Sequence, residues 1–427
     1  MANLAVIGAG AAGISAAREL QAAGHDVEVF EARDRPGGRA WTDYSLAPHP
    51  VELGAEFLHG DRISTWDWVR EFDARTTGEA HRYEMWFALD GMLKNNRQAR
   101  EYFGTEAALA TDLLTRQWQA GGKAETTADH LFDVWSEVSA KPLTAEGRAL
   151  LENYGAMMVS SDMSTLGTHT YDALNPRDLG LQNWRLLNGY TRLIQRAAAN
   201  LEIRFETPVS RIRYDESRVS VTAGGAESRF DAAVVTLPLG VLKRGAVEFD
   251  PPLPIQKQDA IDRINPGSIS KVALRFDRVY WPENLTFIFG SGKTQLWWRP
   301  GQGQANEAPV ITAFFGGSSA KDLESASREE ATELACRELS DMLGESIRGG
   351  LVDSRYIAWG AEEHTMMGYS SLPPDGKGLR EALAAPVGAL HFAGEACSLT
   401  HAATVDGAID SGRVAAAEIL AACSPDA

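Results

Sequence analysis

The chain has 427 residues, of which 44% are hydrophobic and 23% are charged. This length is typical of two or three domains, and the composition supports a packed core, which excludes a largely disordered protein. Glycine and proline show no fixed period, so collagen-like and repeat architectures are excluded. The 58 acidic and 41 basic residues give a net charge of −17, so we expect no nucleic acid or anionic membrane as a partner. The charge would attract a cationic small molecule, although solubility explains it more simply.

Signals for metal binding, secretion and membrane insertion are missing from the sequence. Cys336, Cys397 and Cys423 are too few and too scattered for a disulfide framework or a zinc site, so we expect no metal. No basic segment precedes the first apolar run, and no run approaches 18 apolar residues. The sequence therefore predicts a cytoplasmic protein without a signal peptide or a membrane span.

The first forty residues have the pattern of a dinucleotide-binding unit. An apolar run over 4–7 predicts a buried parallel strand, and it ends at a glycine-rich turn over 8–13. A helix over 14–20 and a second strand over 26–30 follow, and Glu31 closes the second strand. Strand, turn, helix, strand and acid within about 30 residues form the complete fingerprint.

Each residue of the fingerprint has a physical task. Gly8 permits the tight turn, Gly10 lets the backbone approach a pyrophosphate, and Gly13 lets the helix pack close to the strand. The helix N-terminus offers free N–H groups and a positive dipole end to the phosphates. Glu31 can accept hydrogen bonds from ribose hydroxyls and would repel a 2′-phosphate, which disfavours NADP.

The segment after Glu31 favours FAD over NAD. It contains the pair Gly37-Gly38, and Arg39 follows directly. The two glycines suit a second backbone approach to a pyrophosphate, and Arg39 offers a charge-assisted hydrogen bond. A surface turn would also explain the glycines, but this extension is the mark of the glutathione-reductase-like FAD-binding proteins.

Further elements follow from the periodicity of apolar residues. The predicted helices cover 106–119, 128–138, 145–158, 190–201 and 327–343. The predicted strands cover 231–237, 269–276, 286–289, 295–299 and 310–315. A surface loop is expected over 301–309, where glycine, glutamine and asparagine are frequent.

The chain resembles the flavin-containing amine oxidases, which include monoamine oxidases, polyamine and spermine oxidases and histone lysine demethylases. The likeness spans residues 4–420 and is weak only over about 97–180, as expected of a variable helical insert. It is closest in motifs to the polyamine and spermine oxidases. The blocks that carry it are Val6 to Arg39 with Trp41-Thr42, Val51 to Gly60, Val234 to Leu242, Phe249 to Pro254 with Ser270 to Val272, and Trp359 to Ser370 with Phe392 to Ala396 and Asp406 to Gly412.

The resemblance implies an α/β fold with two domains. The first is a Rossmann-like FAD-binding domain of the glutathione-reductase type. The second is an α+β substrate domain that contains a mixed sheet and a helical insert. The FAD-binding domain is expected to be discontinuous, over 1–72, 185–265 and 376–427, which leaves 73–184 and 266–375 to the substrate domain.

The resemblance also implies the contacts of FAD. Glu395 matches the acid near the ribityl chain, and the helix after Asp406 would point its N-terminus at the end of the isoalloxazine that becomes anionic on reduction. A cysteine that binds the flavin covalently in some members is Gly368 here, so we expect noncovalent FAD. The expected cofactor-binding residues are Gly8, Gly10, Ala12, Gly13, Glu31, Ala32, Arg33, Gly38, Arg39, Gly54, Ala55, Glu56, Val209, Trp359, Gly394, Glu395, Thr404 and Val405.

Candidate catalytic residues come from the same family positions. Lys271 matches the lysine that holds a water against flavin N5, where a positive charge would assist the reaction with oxygen. Tyr369 matches the first of two aromatic residues that flank the substrate in monoamine oxidases. The second position is Thr404, which puts specificity for arylalkylamines in doubt.

His59 and Glu56 are further candidates for contact with the amine. His59 closes its block as a histidine does in spermine and acetylpolyamine oxidases, where it could hydrogen-bond an amine or set its protonation. Glu56 could bind a distal ammonium group. The alternatives are a packing role for His59 and a turn-capping role for Glu56. Asp162 and Asp172 could face the cavity, but surface positions explain them better.

The predicted activity is FAD-dependent oxidation of an aliphatic amine or polyamine. A hydride passes from the amine carbon to flavin N5, O2 is converted to H2O2, and the imine hydrolyses to an aldehyde. The close alternative is a monoamine or L-amino-acid oxidase, and the latter needs a carboxylate-binding arginine, for which Arg185, Arg275 and Arg299 are candidates. A non-catalytic FAD protein that docks partners and a desaturase of lipophilic rings are further alternatives. The oligomeric state, monomer or homodimer, stays open.

Overall fold

A computed structural model of the protein describes residues 1–77, 84–107, 110–169 and 182–423. Its strands, in chain order, are β1 (Asn3–Ile7), β2 (Asp26–Phe30), β3 (Thr42–Asp43), β4 (Val51–Glu52), β5 (Phe57–His59), β6 (Met85–Leu89), β7 (Met92–Asn95), β8 (Asn183–Arg185), β9 (Glu202–Arg204), β10 (Val209–Tyr214), β11 (Val219–Ala223), β12 (Ala226–Phe230), β13 (Ala232–Val235), β14 (Glu248–Asp250), β15 (Ile269–Phe276), β16 (Phe287–Phe289), β17 (Leu296–Trp298), β18 (Val310–Gly316), β19 (Leu351–Ala358) and β20 (Leu390–Phe392).

Its α-helices are α1 (Ala11–Ala22), α2 (Thr65–Glu71), α3 (Asn96–Phe103), α4 (Ala110–Ala120), α5 (Trp135–Val138), α6 (Ala145–Val159), α7 (Tyr190–Ala198), α8 (Leu239–Arg244), α9 (Ile255–Arg263), α10 (Gly317–Lys321), α11 (Arg328–Leu343), α12 (Leu379–Ala384) and α13 (Val405–Ala422). Short 3-10 helices cover Ala128–Val134, Met163–Thr165, Arg348–Gly350 and Glu395–Cys397.

A five-stranded parallel sheet contains the N-terminal strand and has the order β20–β13–β1–β2–β9. Alternate side chains of β1 pack towards α1 and α13 on one face of the sheet and towards the four-stranded sheet of β10, β11, β12 and β14 on the other face. Helices α1 and α13 touch through their backbones, because a Cβ on Gly412 would lie 2.2 Å from the carbonyl oxygen of Ala12. The strand–helix–strand unit confirms the predicted strands over 4–7 and 26–30.

A four-stranded sheet of order β12–β11–β10–β14 shares a core with the parallel sheet. Its strands are antiparallel except that β10 and β14 run parallel. Val209, an expected cofactor contact, is the half-buried first residue of β10.

A mixed seven-stranded sheet of order β19–β15–β18–β17–β16–β6–β7 forms the other large core. Strands β16 and β6 are parallel, and the other pairs are antiparallel. One face packs against the helical segment from α3 to α6, and the opposite face packs against α11. The mixed sheet and the helical insert expected for the substrate domain are therefore present.

Several predicted elements differ in type or extent. Segment 128–138 is a 3-10 helix followed by the single turn of α5, not a continuous α-helix. The Thr127 hydroxyl bonds the side chain of His130 and so does not cap the backbone there. Of the helix predicted over 106–119 the structure describes α4 (Ala110–Ala120), with 108–109 outside the described residues, and the helix predicted to residue 201 ends at Ala198.

The division of the chain into two domains stays a prediction. Its boundary between 184 and 185 falls inside β8, which pairs antiparallel with β5. Among the described residues, we find no helix that is both long and apolar enough to cross a lipid bilayer.

Candidate active site

The loop between β1 and α1 is a glycine turn with one open position. Gly8 has a φ of +108°, and a Cβ on Gly13 would lie only 1.9 Å from the Gly8 carbonyl oxygen, so α1 packs directly on the turn. A Cβ on Gly10 would meet no heavy atom of the described residues beyond its own neighbours within 4 Å. Gly10 is also the N-cap of α1 and brings no side chain to pair with the first N–H groups of the helix. Unpaired N–H groups beside open space fit a pyrophosphate.

Glu31 connects the end of β2 to this turn. Its buried carboxylate accepts hydrogen bonds from the backbone N–H of Ala9 at 2.8 Å and of Arg33 at 2.9 Å. Because a carboxylate has about four acceptor positions, ribose hydroxyls can still donate to Glu31. The geometry is therefore compatible with the predicted ribose contact.

The second glycine pair lies beside the first turn. Gly37 and Gly38 have φ angles of +105° and +55°, and the Gly37 N–H donates to the Ala9 carbonyl oxygen at 2.8 Å. A Cβ on Gly38 would lie 3.8 Å from the Cα of Gly10. At Gly10 and Gly38, the backbones of both glycine segments are therefore not covered by side chains and border one shared space, so a diphosphate could approach both backbones closely.

Glu395 is a buried carboxylate that joins three distant segments. It accepts hydrogen bonds from Arg39 Nη1 at 3.0 Å, from the Ser370 hydroxyl at 2.7 Å and from the Ala403 N–H at 3.0 Å. Burial acts to raise the pKa of Glu395, but the charges of Arg39 and Arg380 outweigh it, and the pKa falls below its ordinary value. The carboxylate therefore stays ionised beside Arg39.

Lys271 lies on β15, the second strand of the seven-stranded sheet, and its ammonium group is buried. Its Nζ donates to the carbonyl oxygens of Gly54 at 2.7 Å and Glu52 at 3.3 Å, and it lies 4.9 Å from the centre of the Trp298 ring. Burial lowers the pKa of Lys271, although nearby carboxylates oppose this effect. The two carbonyl oxygens and the face of the Trp298 ring stabilise the positive charge of the Lys271 ammonium group.

The segment over 53–55 connects Lys271 to the glycine pair. The Trp359 indole donates to the carbonyl oxygen of Leu53 at 2.9 Å, and the Ala55 N–H donates to that of Arg39 at 3.0 Å. A Cβ on Gly54 would lie 1.7 Å from the same Arg39 oxygen, so only glycine fits. The structure thus assembles residues that the sequence analysis selected far apart in the chain, namely Arg39, Gly54, Ala55, Lys271 and Trp359.

The carboxylate of Glu56 is held beside Lys271. We call Glu52, Glu56, Arg185, Lys271 and Trp298 the Lys271 cluster. It accepts hydrogen bonds from Arg185 Nε at 2.9 Å and from the Trp298 indole at 2.8 and 2.7 Å to its two oxygens. Its Oε2 lies 3.7 Å from Lys271 Nζ, and the Arg185 guanidinium lies 4.6 Å from the centre of the Phe57 ring. Glu56 is therefore neither exposed nor a turn cap, and its binding of a substrate ammonium stays a prediction.

His59 adjoins the cluster through Phe57. The Phe57 ring centre lies 5.9 Å from that of His59 and 6.0 Å from that of Trp298. His59 Nδ1 lies 2.8 Å from the Asn183 Oδ1, an acceptor to which it donates. Burial lowers the pKa of His59, and the Asn183 hydrogen bond opposes this effect in part. A neutral His59 would then keep Nε2 as an acceptor for an amine N–H.

Tyr369 and Thr404 have different surroundings. The Tyr369 hydroxyl donates to the Met157 carbonyl oxygen at 2.5 Å, and burial raises its pKa, so the phenol stays neutral. Thr404 is the N-cap of α13; its hydroxyl accepts from the Gly407 N–H at 3.0 Å and donates to the His401 carbonyl oxygen at 2.6 Å. The Thr404 side chain thus orients the helix N-terminus, and its contact with substrate stays a prediction.

The remaining predicted cofactor contacts lie at the ends of β2 and β20 and at the starts of α1 and α13, whereas several of the other candidates lie elsewhere. Ala12 is in the first turn of α1, Ala32 follows β2, Gly394 follows β20, and Val405 opens α13. Asp162 accepts from the Ser318 N–H and hydroxyl at the start of α10, and Asp172 lies outside the described residues. Arg275 donates to the Leu46 carbonyl oxygen and Arg299 to Glu307, so of the three candidate arginines Arg185 is the one in the Lys271 cluster.

A cavity of about 440 Å³ lies beside the chain that follows Tyr369. Its lining includes apolar residues such as Leu372 and charged residues of both signs, namely Glu125, Asp375, Glu381, Lys377 and Arg380. Lys271 is not part of the lining. The cavity therefore lies away from the Lys271 cluster, and the charges of its lining nearly balance.

Sequence reasoning missed Trp298, Asn183 and Glu52. The alternation of side chains along β17 contained a partial signal, since adjacent Trp297 and Trp298 must face opposite sides of the sheet. Indeed they belong to different cores. The sequence offered no signal for which tryptophan faces Lys271.

Comparisons with known proteins agree with this geometry. The family model described as flavin containing amine oxidoreductase matches residues 11–420. Polyamine oxidase 2 of Arabidopsis thaliana is 33% identical over 97% of this chain and 87% of its own length, and polyamine oxidase 4 of Oryza sativa subsp. japonica is 29% identical over 97% and 88%.

Two solved structures have the same fold as this chain. Putrescine oxidase bound to putrescine is 22% identical over 98% of this chain and 99% of its own, and cyclohexylamine oxidase from Brevibacterium oxydans IH-35A is 21% identical over 99% of both. Both have a TM-score of 0.81, which, together with the family match, confirms the predicted α/β fold class. The chain therefore belongs to the flavin-containing amine oxidoreductases and is an FAD-dependent enzyme that oxidises small-molecule amines.

Proposed function

We propose that the enzyme oxidises a polyamine or another aliphatic amine with O2 as the acceptor. The observation that carries the proposal is the buried Lys271 ammonium, joined through the carbonyl oxygen of Gly54 to the segment of Arg39. Similarity to polyamine oxidases and the net charge of −17 support a polycationic substrate.

The reaction balances as a two-electron oxidation. The carbon beside the amine nitrogen loses a hydride, the nitrogen lone pair forms the C=N bond, and water hydrolyses the imine to an aldehyde and either ammonia, from a primary amine, or a smaller amine, from a secondary one. O2 gains two electrons and two protons and becomes H2O2. Bound FAD supplies the two-electron carrier between these halves. Lys271 would supply positive charge where oxygen acquires negative charge.

The chain's own residues would hold FAD without a covalent bond. Gly10 and Gly38 would lie against the pyrophosphate, Glu31 would accept from the ribose, and Glu395 would lie near the ribityl chain. Gly368 carries no thiol, and a Cβ there would lie 2.8 Å from Ile269 Cγ1, so a larger residue does not fit.

Anaerobic mixing of the yellow holoenzyme with an amine panel tests the substrate class. Spermidine, spermine or putrescine should bleach the flavin absorbance, whereas 1,4-butanediol, which has the carbon chain of putrescine without its nitrogens, should not. Bleaching by aryl amines or L-amino acids alone would contradict a polyamine substrate, and no bleaching by any amine would contradict the activity.

One observation favours L-amino acids as a second candidate substrate class. The Nη2 atom of Arg185 is buried and has no hydrogen-bond partner among the described residues. A buried guanidinium N–H without an acceptor can bind a carboxylate, although Glu56 already accepts from the Nε of the same side chain. L-amino acids therefore belong in the panel beside the polyamines.

We also propose a cytoplasmic enzyme that is a monomer or a homodimer. The acidic composition supports this location. Cell fractionation and light scattering coupled to size-exclusion chromatography measure the two properties separately.

A further inference from the structure

The Glu56 carboxylate has no task in the reaction proposed above, yet it lies beside the group that would act on oxygen. We propose that Glu56 is a positioning residue that keeps the Lys271 side chain charged and in place, and that Arg185 limits how much of the Glu56 charge acts on Lys271. This inference rests on the proposed role of Lys271 in the reaction with O2.

The first step of the argument is that Glu56 cannot move away from Lys271. Its side chain is 2% exposed, and three hydrogen bonds from Arg185 and Trp298 hold its oxygens. Trp298 also lies against the Lys271 ammonium with its ring face. One indole therefore holds the carboxylate with its N–H and the ammonium with its π system, which fixes their separation at 3.7 Å.

The second step concerns the charges around Lys271. Its two direct acceptors are the backbone carbonyl oxygens of Gly54 and Glu52, which do not titrate. The ionisable groups that act on Lys271 are the side chains of Glu56, Glu52 and Arg185. Burial lowers the pKa of Lys271 most, Glu56 raises it more than Glu52 does, and Arg185 lowers it. Glu56 and Arg185 therefore act on the lysine with opposite signs.

Two substitutions should shift the pH profile in opposite directions. Glu56→Gln keeps the shape and the acceptor for Trp298 but removes the negative charge, so Lys271 should lose its proton at lower pH, by roughly one to three pH units. Arg185→Met removes the positive charge that neutralises Glu56, so Lys271 should keep its proton to higher pH. Structural damage alone would not produce shifts of opposite sign.

The experiment measures the rate of flavin reoxidation by O2 in stopped flow from pH 6 to 10 for the holoenzyme and both variants. A second readout, without turnover, is the pH titration of the oxidised flavin spectrum. Flavin occupancy and melting temperature verify that the variants are folded. Glu333→Gln is the matched control, because it breaks an exposed pair of 2.9 Å between Glu333 on α11 and Arg348 on the following 3-10 helix, and it should shift neither titration.

The outcomes separate this inference from the proposed function. Opposite shifts in the two variants, both absent when Lys271→Met is added, support it. If Lys271→Met slows reoxidation but the Glu56 and Arg185 variants titrate like wild type, or shift in the same direction, the inference is overturned while the proposed function stands. If Lys271→Met changes neither reoxidation nor its pH profile, the role of Lys271 fails, and the inference fails with it, whatever the amine panel shows.

Discussion

Replacement of the buried Glu52 by glutamine should stabilise the protein at neutral pH. Glu52 is 6% exposed; its Oε1 accepts from the Tyr190 N–H and its Oε2 from the Thr42 hydroxyl, each at 2.8 Å. The single oxygen of a glutamine can keep the Tyr190 hydrogen bond, and its NH2 group can donate to the Thr42 hydroxyl oxygen instead. Burial raises the pKa of Glu52 from 4.5 to about 8. The unfolded chain gives up this proton near pH 4.5, so the folded state loses stability as pH rises towards 8.

The size of the effect at pH 7 follows from the interval between pH 4.5, where the unfolded chain loses the proton of Glu52, and pH 7. Each pH unit is worth about 1.4 kcal/mol, so ionisation in the unfolded chain should cost the wild type about 3 kcal/mol at pH 7. An unfolding entropy of about 2.1 cal/mol/K per residue gives roughly 0.9 kcal/mol/K for the whole chain, so Glu52→Gln should raise the melting temperature by about 3–4 °C at pH 7.

The assay is thermal unfolding of both proteins from pH 5 to pH 9. The difference in melting temperature should be smallest at pH 5 and should grow to pH 8. Glu330→Gln is a suitable control, because hydrogen bonds from Ser327 lower the pKa of Glu330, which is then ionised over this whole range; its effect should not vary with pH. A benefit of Glu52→Gln that is constant with pH, or largest at pH 5, would refute the reasoning.

Three further predictions concern the cofactor. Gly13→Ala should prevent folding, because its Cβ would lie 1.9 Å from a backbone oxygen, whereas Gly10→Ala should give a folded but colourless protein; circular dichroism and flavin absorbance distinguish the two outcomes. Lys271→Met should slow reoxidation by O2 roughly a hundredfold in stopped flow and change anaerobic reduction by the amine far less; equal losses in both would contradict its role. Acid precipitation should release all of the flavin into the supernatant because Gly368 has no thiol, and a yellow pellet would disprove noncovalent binding.

The glycine turn could be predicted from the sequence because its physics is local. Gly13 and Glu31 are explained by contacts within the first 31 residues, and Gly8 by its own φ of +108°, although a Cβ there would also meet Thr236 at 2.6 Å. The spacing alone therefore determines which backbone atoms approach each other. Strand β1 was predictable for a related reason, since its residues 4–7 are all apolar, as expected of a strand buried on both faces.

The cluster around Lys271 could not be predicted in this way because its contacts are long-range. Lys271 and Gly54 are 217 residues apart, and Glu56 and Trp298 are 242 residues apart. Periodicity places each residue on a strand but does not say which strands become neighbours. Only the family resemblance selected Lys271, and it offered no reason to connect Glu56 with Trp298.

The same cluster has an energetic implication for function. Glu52, Glu56, Arg185 and Lys271 are buried ionisable side chains beside the aromatic rings of Phe57 and Trp298, where apolar side chains could pack instead. Buried ion clusters are often no more stable than well-packed apolar replacements, because desolvation offsets the attraction between the charges. The expected gain from Glu52→Gln is one measure of that cost. A fold that keeps such a cluster around Lys271 gives up stability to hold an ammonium group away from water, and a charge held in that way is the arrangement that electrostatic catalysis at a flavin would use.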